Sequence, residues 1–409
     1  MANKLTNKKT RVTNVVFCFL LLFVQMTMAD RSRKDGSSIQ KLLKKLNKPA
    51  VKSIKSPDGD IIDCVDILKQ PAFDHPKLKN HKIRMRPSSY PEGMIIEGSN
   101  NVPSKSPPIA QLWHQSGSCP EGTIPIRRIR KEDMLRDRSI RQFGKKNLQT
   151  IRLPSDAGGQ RVNEYASVFV KGEKYYGGKA AMNVWNPKVQ QDVEWSVSAI
   201  WVVNDVDKEN LNAIEVGWQV NQYLYGDNRT RLFTFWTDDN DKSTGCYDLR
   251  CSGFVQLNAG IAVGSTLEPL SVYNDTNSQY DIQIMIWKDK SNGDWWMQYG
   301  DKVMGYWSSS LFTHLSDSAT FIRWGGQIVN SATNGQHSTT QMGSGQFPRE
   351  HFGKASFFKN LNGDNQMVPA DTIFNQVDRS TCYDVQTGRT DGWGRFFYFG
   401  GPGRNPNCP

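Results

Sequence analysis

The chain has 409 residues, more than one ordinary domain needs, with 37% hydrophobic and 22% charged residues and a formal net charge of +11. The charge is unevenly placed: residues 30–150 carry 25 Lys and Arg against 13 Asp and Glu, whereas residues 151–409 carry 22 against 27. Nucleic-acid recognition wants basic residues interleaved with stacking aromatics on one folded face. Here the aromatics concentrate in the acidic part, which argues against a nucleic-acid partner.

Residues 1–29 have the layout of a secretory signal. Lys4, Lys8, Lys9 and Arg11 precede the apolar stretch Val15–Val24, and Thr27-Met28-Ala29 offers a small-residue cleavage site. The apolar stretch is short for a membrane span and no later segment qualifies, so no membrane association is expected after cleavage. Export would remove Cys18 and leave six cysteines in an oxidising compartment, where an even number suggests disulfides. Sequence order suggests Cys64–Cys119, Cys246–Cys251 and Cys382–Cys408, one pattern among the fifteen that six cysteines allow. The histidines form no ligand-spaced cluster with these cysteines, so neither a metal nor another cofactor is expected. Asn228-Arg229-Thr230 and Asn274-Asp275-Thr276 are glycosylation acceptors, at Asn228 and Asn274, that an exported protein could use.

Residues 30–60 are rich in lysine and serine. Ile39, Leu42, Leu43 and Leu46 fit one helical face, although a solvated basic leader that packs lightly is the plainer expectation. A compact, proline-containing segment follows from Asp60 to Arg130. The stretch from Arg127-Arg128-Ile129-Arg130-Lys131 to Lys145-Lys146 is either a processing site or an ordinary basic linker.

After Gln160 the texture changes to short runs of period two: Val193–Val203, Arg231–Thr237 and Asp281–Trp287. Ser291-Asn292-Gly293-Asp294 joins the last of these to Trp295–Tyr299 as a hairpin. Many short strands without a long helix predict an all-β fold, an antiparallel sandwich or barrel.

Two runs carry the candidate chemistry. In Asn212–Val220 the apolar residues alternate, which leaves Glu215, Gly217 and Gln219 on one face; in Phe321–Val329 the corresponding face holds Arg323, Gly325 and Gln327. Glycine inside a strand often marks a close approach by backbone or ligand, so two such strands side by side could floor a groove. A desolvated carboxylate there can act as general base toward water, and a side-chain amide can donate to a developing oxyanion. The plain alternative is that Glu215 is a solvated residue on the polar face of a strand. The Trp residues at 195, 201, 218, 236, 287, 295, 296 and 307 are expected mostly in the core, with a few free to line the groove. Asp238-Asp239-Asn240-Asp241 lacks the glycine and terminal glutamate of a calcium loop and reads as a polar turn.

Several segments together resemble the neprosin family of secreted plant glutamic prolyl endopeptidases. In the front part they are Asp63-Cys64-Val65-Asp66-Ile67-Leu68-Lys69-Gln70-Pro71-Ala72-Phe73-Asp74-His75-Pro76 and Cys119-Pro120-Glu121-Gly122-Thr123-Ile124-Pro125-Ile126-Arg127-Arg128. In the back part they are Asn183-Val184-Trp185-Asn186-Pro187, the Glu215 run, Leu224-Tyr225-Gly226-Asp227, Thr244-Gly245-Cys246-Tyr247, Gly253-Phe254-Val255-Gln256, Thr340-Gln341-Met342-Gly343-Ser344-Gly345 and Gly400-Gly401-Pro402-Gly403.

The resemblance implies a signal at 1–29, a basic activation pro-segment at 30–150 acting as intramolecular inhibitor, and a β-sandwich peptidase domain at 151–409. It also implies secretion to the apoplast or cell wall, a protein or peptide substrate rich in proline, and two catalytic glutamates. The first maps onto Glu215. The second falls in a Trp-Gly-Gly-Glu motif, where this chain has Trp324-Gly325-Gly326-Gln327. A carboxamide cannot exchange a proton as a carboxylic acid does. Three expectations follow: a Glu215/Gln327 site like that of the fungal glutamic peptidases, a catalytically impaired protein that binds proline-rich or glycosylated wall polymers, or weak activity left by positioning and electrostatics.

Overall fold

The computed structural model describes residues 38–91, 110–136, 143–146, 162–331, 335–361 and 373–409. The expected signal at 1–29 and the prolines at 103, 107 and 108 lie outside them. Three strands come first: β1 (Ala50–Lys55), β2 (Ile61–Asp66) and β3 (Thr123–Arg127). They form a small antiparallel sheet in the order β1-β2-β3, stapled by Cys64–Cys119. Residues 38–46 form helix α1. Its Ile39 is buried with Ile129, Met134 and Phe143, and Leu42, Leu43 and Leu46 pack against them. The leader at this point is therefore a docked amphipathic helix rather than a solvated tail, because its apolar face finds partners 80 or more positions away that no local pattern shows.

The remaining strands are β4 (Val162–Tyr175), β5 (Gly177–Asn183), β6 (Ser196–Asn204), β7 (Asn212–Val220), β8 (Arg231–Thr237), β9 (Cys246–Tyr247) and β10 (Phe254–Gln256). They continue with β11 (Asp281–Lys288), β12 (Trp295–Tyr299), β13 (Lys302–Trp307), β14 (Ala319–Asn330), β15 (Ser356–Leu361), β16 (Phe374–Val377), β17 (Asp384–Thr390) and β18 (Gly394–Gly400). One sheet runs β16-β4-β14-β6-β7-β8-β9 and the other β10-β13-β12-β11-β5-β15-β18-β17, with antiparallel neighbours throughout. The two pack face to face as a sandwich, as the alternating runs predict. The other two disulfides are Cys246–Cys251 and Cys382–Cys408, so all three expected pairs are present.

The even-numbered residues of β6, β7 and β14 (Ile200, Val202, Ile214, Val216, Trp218, Ile322, Trp324) enter the core between the sheets. Trp218 also ties the layers together, its Nε1 donating to the Asn183 carbonyl at 2.9 Å. The opposite face of the seven-stranded sheet should meet water, as one face of an antiparallel sheet commonly does. Instead β6, β7 and β8 are buried at every position. Trp195, Val197, Ala199, Trp201, Phe233, Phe235 and Tyr247 form a second apolar cluster there. The eight tryptophans expected mostly in the core are all buried. Trp195 and Trp201 lie on this outer face, and Trp218, Trp236, Trp295 and Trp307 lie between the sheets. Trp287 and Trp296 lie on the outward face of the other sheet, where Ser89 and Tyr90 meet Trp287. A covered outer face is the feature that positions the site.

Candidate active site

Glu215 and Gln327 do project from the same side of one sheet, the covered outer side. Their strands are not side by side as expected, because β6 lies between them. Register fixes their relation. Glu215 pairs with Trp201 on β6 and Gln327 with Val197, so they sit four residues apart along that strand. The row of pairs through Glu215 is Arg323–Trp201–Glu215–Phe235, and the row through Gln327 is Tyr165–Gln327–Val197–Gln219–Arg231.

Between these rows runs Ser167–Gly325–Ala199–Gly217, which leaves a strip of small side chains across four strands. Two residues along a strand span roughly 7 Å, so the strip is a trench with Glu215 on one bank and Gln327 on the other. The two glycines are required by close backbone approach. A Cβ on Gly217 would lie 2.0 Å from the Ser198 carbonyl, and one on Gly325, which has φ +149°, 2.6 Å from Ser167 Cα.

The trench carboxylate is closed off by an earlier part of the chain. Lys146 Nζ donates to both oxygens of Glu215, at 2.7 and 3.0 Å, and each side chain is only 8% exposed. The ammonium also stands 5.2 Å from the centroid of the Phe235 ring. Burial alone would disfavour the lysine cation, but Glu215, with lesser help from Tyr247 and Asp241, outweighs it, and the Lys146 pKa is raised. A second contact closes the other bank. Arg231, 0% exposed, donates to Asp60 Oδ2 at 2.5 Å and to the Gly264 carbonyl at 2.8 Å, and its Nε and Nη2 engage Asp227.

Asp60 in turn accepts from Arg127 Nε at 3.0 Å, and Arg127 reaches the Tyr225 carbonyl at 3.3 Å. Three guanidinium groups, those of Arg127, Arg231 and Arg250, stand 5.1 to 5.9 Å from the Tyr225 ring. The contact between front segment and sandwich thus uses both signs of charge at specific places.

Asp60→Asn removes the anion shared by Arg231 and Arg127 while leaving Asp227 in place. The expected result is a loosening of the front segment by about 3 kcal/mol, the scale for losing one partner of a buried pair. It should appear as faster limited proteolysis within residues 50–136 and unchanged protection of the sandwich; equal protection in both variants would contradict it.

Gln327 is 1% exposed, and neither its amide nitrogen nor its amide oxygen has a hydrogen-bond partner among the described residues. A buried amide left unsatisfied costs about 1–3 kcal/mol. Gln327→Leu should therefore raise the melting temperature of the intact chain, read by calorimetry, and a lowered value would show that the amide is satisfied after all.

Of the other expected groove residues, Gln219 is buried and bonds Tyr225 and Asn221. Arg323 lies 4.1 Å over the Tyr165 ring and donates to Gln376 at 2.6 Å. Arg127 and Lys146, at the two ends of the basic stretch, are buried in ion pairs. The acceptors Asn228 and Asn274 are both exposed.

Two residues near Glu215 were not anticipated. Lys146 sat within a stretch read as processing site or linker, and its partner lies 69 positions away. Asp241 was read as part of a polar turn, yet its Oδ1 is buried without a partner. The residues on both sides of it that could have signalled this are ordinary turn formers.

A β-sandwich whose candidate carboxylate is held in an ion pair by its own preceding segment has the build of a precursor held closed by an intramolecular pro-segment. The Neprosin family pattern matches residues 192–402 and the Neprosin activation peptide pattern matches residues 53–169, the latter running into β4. The chain belongs to the neprosin family.

Among solved structures it is similar to scytalido-glutamic peptidase bound to a peptide-based transition-state analogue. The identity is 13%, covering 59% of this chain and 100% of that one, with a TM-score of 0.32. It is also similar to a glycoside hydrolase family 16 endo-glucanase from Bacteroides ovatus, at 12% identity over 44% of this chain and 72% of that one, with a TM-score of 0.25. No helix among the described residues is long and apolar enough to cross a membrane.

Proposed function

We propose that this chain is the precursor of a secreted glutamic-type endopeptidase that cuts peptide bonds near proline, with Glu215 as the base that activates water. The observation that carries the reading is the Lys146–Glu215 pair: a carboxylate beside a strip of small residues is neutralised by a residue of the preceding segment. Segments that inhibit in this way mask the group that would otherwise react.

Once Lys146 leaves, the Glu215 carboxylate takes a proton from water as the oxygen attacks the peptide carbonyl. The carbonyl oxygen becomes negative and accepts a hydrogen bond from the Gln327 amide. Its unpartnered nitrogen supports that role, since a donor already engaged would have to break a bond first. Collapse of the intermediate breaks the C–N bond, and the proton taken up by Glu215 is returned, directly or through a second acid, to the leaving nitrogen, which restores the carboxylate. Trp201 and Phe235 on one bank, Tyr165 on the other and Phe233 at the end of the strip give flat faces that suit proline rings. The three disulfides support export, and the exposed Asn228 and Asn274 are then glycosylation sites.

The test is acid-treated, purified full-length protein incubated with a proline-containing peptide and its alanine counterpart. Cleavage beside proline that disappears in Glu215→Gln supports the reading. An inert wild type overturns it. The same aromatic banks, together with the carboxamide at 327, favour a second reading in which the trench binds proline-rich or glycosylated wall polymers without cutting them. Saturable binding of such a polymer by an inert processed protein would establish that alternative.

A further inference from the structure

With Gln327 unable to hold and release a proton, Glu215 alone would have to act first as base and then as acid, unless a second carboxyl shares the work. We propose that Asp241, on the turn that follows β8, is the second carboxyl of the site and works as the proton-donating partner of Glu215. The inference rests on the peptidase reading above.

The turn holds Asp241 against the same face of the sheet that carries Glu215. Thr237 closes β8 and lies on the trench side, since it pairs with Ala213, next on that face to the Glu215–Phe235 pair. The Asp241 backbone N–H donates to Thr237 Oγ1 at 3.0 Å, which hangs the residue from the trench face. Asn240 and Asp241 both have positive φ, 56° and 61°, a conformation that asparagine and aspartate tolerate better than most residues.

The neighbouring acidic groups are spoken for. Asp239 caps the turn by accepting from the Ser243 and Thr244 backbone amides at 2.9 to 3.1 Å and from the Thr244 hydroxyl at 2.6 Å. Asp238 accepts from Thr313 at 2.6 and 2.9 Å. Asp241 differs: although the residue is only half-buried overall, its Oδ1 is wholly buried and has no partner among the described residues.

Its surroundings suit a proton carrier. The charged and titratable groups acting with it are Lys146 from the pro-segment, Glu215 from β7, Asp239 from its own turn and Tyr247 from β9. Burial raises its pKa, the Lys146 cation pulls it back, and Glu215 and Asp239 raise it again. The balance stands at about 6. Departure of Lys146 removes the one cation that lowers it. In mild acid Asp241 is then neutral beside a Glu215 carboxylate, the division of labour that two differently placed carboxyls use for acid and base roles.

The step balances. Glu215 takes one proton from water as the water oxygen bonds to the carbonyl carbon. Asp241 gives its proton to the amide nitrogen as the C–N bond breaks. The proton on Glu215 then passes to Asp241 and restores both groups.

Wild type, E215Q, D241N and D241E would be acid-treated as full chains and assayed on one fluorogenic proline peptide from pH 3 to pH 8. Asparagine keeps the shape and tolerates the positive φ, so D241N should fold. It is expected to lower kcat about 100-fold, within the range for losing a general acid, and to abolish the fall in rate on the alkaline side of the profile. D241E should restore part of both, which a purely structural role would not produce. D241N with wild-type kcat and an unchanged alkaline limb, alongside an inert E215Q, overturns this inference and leaves the peptidase reading standing. An inert wild type, or an E215Q as active as wild type, overturns both.

Discussion

Glu215→Gln is expected to reduce kcat/KM for a proline-containing peptide by at least about 1000-fold, because an amide cannot accept the proton that the attacking water must lose. The same change acts on the precursor in a second way. It leaves the Lys146 ammonium buried on the apolar cluster beside Phe235 with its main counter-charge gone. Stranding one member of a buried pair costs about 3–5 kcal/mol, so the variant should release its pro-segment more readily while being unable to cut. To keep the two effects apart, all proteins should be trimmed by an added protease before assay. Activity within a few-fold of wild type after such trimming would remove Glu215 from the chemistry.

The second large effect is expected at Lys146. Lys146→Met keeps the length and apolar stem of the side chain but deletes its charge, leaving the buried Glu215 carboxylate without its partner. On the same energy scale the closed form loses a factor of about 100 or more against the open one. The variant should therefore open at a pH where wild type stays shut, read as cleavage of peptide before any acid step. Combining Lys146→Met with Glu215→Gln removes both charges. The double variant should regain most of the closed state, read by pro-segment protection since it cannot cut; a cycle of the four proteins isolates the pair. Equal opening pH for wild type and Lys146→Met would show that the pair is incidental to closure.

Much of the sandwich could be read from the chain alone, and the reason is local. The run Asn212–Val220 alternates cleanly, so its bounds and its two faces come out as the structure has them. Arg231–Thr237 does likewise, and Trp295–Tyr299 is announced by the hairpin turn before it. Alternation also places Glu215, Gly217, Gly325 and Gln327 on matching faces. It cannot tell that β6 separates the two strands, because sheet order is set by pairings more than 100 residues apart.

The same limit hid the closure of the site. Lys146 meets Glu215 across 69 positions and Asp60 meets Arg231 across 171, so no window of sequence contains either pair. Helix α1 was undervalued for a related reason: its apolar face depends on Ile129, Met134 and Phe143 for burial. Asp241 stayed hidden because its significance lies in what one oxygen lacks, and composition does not record a missing hydrogen bond.

Lys146 and its target belong to one chain, so the plug never has to find its socket by diffusion. A tethered group of this kind competes at an effective concentration that can reach the millimolar range, regardless of how dilute the protein is. Weakening the ion pair alone therefore gives only a transient gap, refilled by the same residue. Severing the connection changes the order of the reaction: re-closure then becomes a meeting of two molecules, and simple dilution into surrounding fluid is enough to keep the trench open.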